Sequence, residues 1–193
     1  MNPELHQREN DRATVFGFWT YLMTDFVLFA SLFATYAVLR ANTYGNVSGH
    51  DIFSGPFVLT ETIILLTSSF TIGLALLAAR EGKKVRVLLL LILTGALGTA
   101  FVGMEFNEFH TLLTAGQGWQ QSGFLSAYFT LVGTHGLHVF VGLVWMATMT
   151  IAILLRGLTR ANMRKLLLLS LFWHFLDIIW IFIFTFVYLI GLI

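Results

Sequence analysis

The stretch Leu166–Ile193, LLLLSLFWHFLDIIWIFIFTFVYLIGLI, decides the fold. It runs for 28 residues without a Lys, Arg or Glu and carries a single Asp, at 177. A hydrocarbon core about 30 Å thick needs roughly 20 apolar residues of helix to cross it, and this run exceeds that. Four earlier runs, at 16–39, 57–79, 87–104 and 124–155, match it in character. None alternates apolar and polar residues with period two, so a lipid-facing β-barrel is not expected. Backbone groups in lipid must then bond within their own segment, which means helices. The whole chain agrees: 57% of its 193 residues are hydrophobic and 11% charged. A soluble domain has about a quarter charged residues. The expected fold is all-α, a polytopic membrane protein with a bundle of five transmembrane helices at about 16–39, 57–79, 85–109, 124–155 and 166–191, preceded by a polar tail at 1–15.

Orientation follows from the basic residues. The tail holds Arg8 and Arg12, the second loop Arg80, Lys83, Lys84 and Arg86, and the fourth Arg156, Arg160, Arg164 and Lys165. The alternate loops hold only Arg40. The positive-inside rule predicts a cytoplasmic N-terminus and a periplasmic C-terminus. Phe16, Phe18, Trp19 and Tyr21, and again Trp119, Phe124 and Tyr128, stand where span ends should meet the headgroups. Residues 1–15 are polar and the first apolar run is too long for a secretory leader, so none is expected.

The chain has no cysteine, which excludes disulfides, iron–sulfur clusters and thiolate-held copper. A formal charge of +1 and the lack of a basic, aromatic-interleaved stripe give no reason to expect nucleic acid.

Ionisable groups at membrane depth cost at least a few kcal/mol each and need a reason. Asp25, His135, His138, His174 and Asp177 fall in the middle of their spans. Glu61 lies nearer the outer surface, where a favourable position against the helix dipole is the plainer reading and a buried structural or proton-related role the alternative. Glu105, Glu108 and His110 close the third span, where solvation is the simplest expectation. His135 and His138, like His174 and Asp177, stand three residues apart and share a helix face. Such pairs suit a metal, a bis-histidine haem or hydrogen bonds between helices; bare spacing favours the last. Asp25 has no intramembrane cation to meet, so it is expected to sit neutral or to bond histidine or hydroxyl donors such as Thr24. A proton relay is its functional alternative. Gly95, Gly98 and Gly103, then Gly133, Gly136 and Gly142, form small-residue stripes that let helices approach. The Phe-rich last span, with Trp173 and Trp180, reads as packing and lipid contact.

Three stretches carry a resemblance. Gly133-Thr-His-Gly-Leu-His138-Val, Trp173-His-Phe-Leu-Asp177-Ile-Ile-Trp180 and Gly103-Met-Glu105-Phe-Asn-Glu108-Phe, with Met23-Thr-Asp25-Phe-Val-Leu-Phe29 before them, look like subunit III of the haem–copper respiratory oxidases. Phe33-Ala-Thr-Tyr36, Ser122-Gly-Phe-Leu-Ser-Ala127 and Phe172-Trp-His-Phe-Leu176 look like its cytochrome bo-type ubiquinol oxidase branch, as does the count of five helices against seven in the longer cytochrome c oxidase subunits. The resemblance implies an accessory subunit with no catalytic, cofactor or metal site of its own, in a proton-pumping complex that oxidises ubiquinol and reduces oxygen to water. Haems and copper are expected in subunit I, the main partner, alongside other oxidase subunits and bound phospholipid, in a bacterial inner membrane. It makes Asp25 the family's buried helix acid and Glu105, His135, His138, His174 and Asp177 motif positions. The alternatives are a cytochrome c oxidase subunit III, an independent small transporter using the mid-membrane acids, and a metalloenzyme using the histidine pairs. Prolines only at Pro3 and Pro56, outside the apolar spans, argue against a transporter with broken helices.

Overall fold

The computed structural model describes residues 3–43, 45, 49–52 and 54–191. Its long helices are α1 (Pro3–Leu39), α3 (Gly55–Arg80), α4 (Lys84–Thr114), α5 (Gly123–Arg156) and α6 (Arg160–Ile183), with one short turn, α2 (Gly49–Ile52), between the first two. There is no strand among the described residues. All five long helices are long and apolar enough to cross a membrane.

The ends differ from the apolar runs for local reasons. Helix α1 starts at Pro3 rather than at residue 16. The intervening Glu, Gln and Arg residues are good helix formers, and proline suits a first turn. Helix α6 starts at Arg160 because Thr159 caps it, its hydroxyl accepting from Asn162 N at 3.2 Å. Asn162 then donates from Nδ2 to Gly157 O at 2.8 Å, binding the α5–α6 hairpin together. Helix α5 opens on Ser122, whose Oγ accepts from Leu125 N at 3.1 Å. Helices α3 and α4 stop on glycines in the left-handed region, Gly82 at φ +72° and Gly116 at φ +76°. Each lets the chain fold back on the last turn: Lys83 N reaches Ala78 O at 3.0 Å, and Gln117 N reaches Leu112 O at 2.9 Å.

Helix α3 packs on α4, α4 on α5, α5 on α6 and α6 back on α3, which closes a four-helix ring. Helix α1 lies outside it, against α5 and α6. The ring is filled by large side chains: Phe101, Phe124, Tyr128, Trp173, Trp180 and Tyr188 are all buried. Leu89, Ile92, Leu137, Phe140, Val144, Ile151 and Ile178 face outward. A soluble surface rarely carries so much contiguous apolar area, whereas a bilayer accepts it.

The glycine stripes seat specific rings. A Cβ on Gly98 would stand 2.8 Å from Trp173, and one on Gly142 would stand 3.0 Å from the same indole. Gly103 faces open space, so it plays no part in this contact. Trp173 therefore lies in a slot cut into α4 and α5, and its Nε1 donates to Ser68 Oγ on α3 at 3.0 Å. Trp180, two turns on, donates to Thr62 Oγ1 at 3.1 Å. After Ile183 the last helix loosens into a π-helical segment, Phe184–Leu189.

Candidate functional site

The mid-membrane polar residues meet as acid–imidazole pairs across helix seams. On α5, His138 donates from Nδ1 to Thr134 O at 2.7 Å. Its Nε2 is thereby left facing Asp25 Oδ2 of α1 at 3.9 Å. One turn earlier, His135 holds Nε2 3.3 Å from Leu176 O on α6, while its Nδ1 faces Glu105 Oε1 of α4 at 3.7 Å. The third group joins α6 to α3: Ser69 Oγ lies 2.7 Å from His174 Nδ1, with Asp177 about one turn further along α6. Thr24, expected to serve Asp25, bonds Tyr21 O on its own helix instead.

Helix arithmetic explains the meetings. Glu105 lies nine residues before the end of α4 and His135 twelve after the start of α5, so both sit about 14–18 Å below the same surface. Gly136 makes the approach possible, since a Cβ there would come 2.7 Å from Glu105 Oε2. His135 is wholly buried between Trp180, its ring 5.2 Å away, and Phe101, 5.8 Å away and edge-on.

Two expectations about the acids are corrected here. Glu105 is not solvated at a helix end but 4% exposed inside the ring. Glu61 is not a first-turn acid: it lies six residues into α3, past the reach of the dipole, and is fully buried. Both belong to one polar cluster at the surface opposite the basic loops. Glu108 accepts a hydrogen bond from Tyr188 at 3.0 Å, and the Tyr188 and Tyr128 hydroxyls lie 3.0 Å apart. Glu61 is within electrostatic reach of Glu105 and Glu108. Sequence reasoning missed Ser69 and both tyrosines as members. Tyr128 resembles an ordinary interfacial ring, and Tyr188 is turned inward within a π-helical segment that no residue pattern announces.

The His-x-x-His spacing does not make one donor set. His135 addresses α4 and α6, whereas His138 addresses α1, so their nitrogens look to different neighbours. No group of three His, Asp or Glu suited to a metal occurs among the described residues. What the arrangement offers chemically is hydrogen bonding and proton sharing between paired acids and imidazoles.

The chain is similar to known proteins over nearly its whole length. The cytochrome c oxidase subunit III family profile matches residues 4–192. The cytochrome bo(3) ubiquinol oxidase subunit 3 of Pseudomonas aeruginosa is 58% identical over 96% of this chain and 89% of its own length. The quinol oxidase subunit 3 of Bacillus subtilis is 44% identical over 98% of this chain and 93% of its own. A Bacillus protein named cytochrome c oxidase subunit 3 is 41% identical over 99% and 92%. That protein is of similar length, so length alone does not separate the two names.

Proposed function

The chain belongs to the cytochrome c oxidase subunit III family, and from that membership we propose that it is the accessory subunit III of a haem–copper quinol oxidase, a complex that passes electrons from ubiquinol to oxygen and pumps protons. The observation that carries this reading is the 58% identity to a bo(3) ubiquinol oxidase subunit 3 across nearly the full chain. The architecture supports it: His135, His174, Trp173 and Trp180 each reach across a seam to a neighbouring helix. Haems and copper belong to subunit I in this reading, and this chain supports that subunit and sustains proton uptake. The basic loops lie in the cytoplasm, and the membrane is the bacterial inner membrane. Phospholipid occupies the apolar groove of about 620 Å³ between α1 and α6, with acyl chains against Phe26, Phe33, Phe182 and Phe186 and a headgroup at Arg40.

The test is purification through a tag on this chain in mild detergent. The expected result is a larger haem-bearing partner and oxygen consumption driven by quinol. A chain that purifies alone, without haem-bearing protein, overturns the proposal. The 41% identity to a cytochrome c oxidase subunit 3 supports a second reading, and turnover with cytochrome c but not quinol would select it.

A further inference from the structure

The Glu105–His135 pair is enclosed, yet its facing atoms make no hydrogen bond: Oε1 and Nδ1 are buried and unpartnered, 3.7 Å apart. The other ring nitrogen limits what can stand between them. Nε2 faces the Leu176 carbonyl, which can only accept, so Nε2 carries a hydrogen. In the neutral ring Nδ1 is then a bare lone pair aimed at a carboxyl oxygen. Two acceptors left facing each other in an apolar core are costly, so a hydrogen belongs in the gap. It rests either on Glu105 Oε1 or on Nδ1. Passing from one form to the other breaks one O–H bond and makes one N–H bond, and leaves the net charge of the pair unchanged.

Glu61 supplies a separate observation. It is fully buried on α3 and both its carboxyl oxygens lack partners. A buried carboxyl needs donors, and water is the donor that fits between packed helices. Glu108 stands three residues beyond Glu105 on the same face of α4, nearer the surface and half-buried, with Tyr188 and then Tyr128 bonded behind it.

We propose that Glu105, His135 and Glu61 form a proton-holding site completed by buried water, which exchanges protons with the surface opposite the basic loops by way of Glu108 and the Tyr188–Tyr128 pair. The other ionisable groups within electrostatic range of its members are Glu108 from α4, Tyr128 from α5, Asp177 from α6 and Tyr188 from the π-helical segment. No lysine or arginine is among them. The site is separate from the Asp25–His138 pair on the α1 side. It does not depend on which donor feeds the complex, so its failure leaves the subunit assignment standing.

The experiment moves the intact complex from ordinary into heavy water and records infrared spectra over time. The expected result is a protonated-carboxyl stretching band that shifts in heavy water. That band is lost in Glu105→Gln and kept in Asp25→Asn. Tyr188→Phe, which removes the hydroxyl bonded to both Glu108 and Tyr128, slows exchange by roughly tenfold. A full set of exchangeable carboxyl bands in Glu105→Gln, or exchange no slower in Tyr188→Phe, overturns the proposal. The haem spectrum reports assembly separately. If Glu105→Gln does not assemble, a high-resolution map of the unaltered complex decides: water within hydrogen-bond distance of Glu61 supports the site, and a dry carboxyl overturns it.

Discussion

His135 and His138 sit one turn apart on the same helix and each faces a carboxyl group, but they serve different regions. The His135 pair is sealed inside the α3–α6 ring, where Glu105 is 4% exposed and His135 not at all. The His138 pair holds the outlying α1 to that ring, and its side chains are 18% and 11% exposed. Identical chemistry thus works as a keystone in one place and as a latch in the other. Closed packing, not residue type, sets how much each pair matters.

Substitutions can break this contrast or sharpen it. The largest effect is expected from Trp173→Ala, which empties the slot between Gly98 and Gly142 and removes the bond to Ser68. It should cost about 3–5 kcal/mol in thermal or chemical unfolding of the detergent-solubilised complex. Gly136→Ala drives a methyl against Glu105 and should cost about 1–3 kcal/mol, while Gly103→Ala, which meets only open space, should leave the melting curve unchanged. Below these come His135→Ala and His174→Ala, at about 1–2 kcal/mol each, read as weaker retention of this chain by the complex in detergent. Asp25→Asn on the α1 side should leave haem content intact and shorten sustained turnover; equal damage from Asp25→Asn and His135→Ala would erase the distinction between latch and keystone.

The smallest effect concerns Glu81 in the α3–α4 loop. A hydrogen bond and ion pair with Lys83, at 2.6 Å, lower its pKa, with Arg86 assisting. A carboxyl depressed in the folded state adds stability above its unfolded value and loses it as pH falls. Glu81→Gln should therefore lower the melting temperature slightly at neutral pH, less so in high salt, and flatten its acid-side decline.

The spans were legible because length and apolarity leave the backbone no alternative to helices at membrane depth. Their ends were less so, since Thr159 and Gly116 fix the boundaries through hydrogen bonds that apolar counting ignores. The acids and histidines of the site could be picked out, but not their partners. Residues three apart differ by about 60° around the axis, enough for His135 and His138 to address different helices. Glu61 sits between two threonines near a span end, a setting that reads as surface until α4 and α6 close over it.

The seating of α1 carries a consequence for biogenesis. Of these five spans, the first to leave the ribosome finds its contacts in α5 and α6, and α5 begins more than eighty residues after α1 ends. At roughly 5–20 residues per second, that segment waits several seconds in the bilayer or its insertion machinery. Throughout that interval Asp25 has no imidazole to meet, so newly made chains pass through a stage in which a lone acid must be sheltered until His138 arrives.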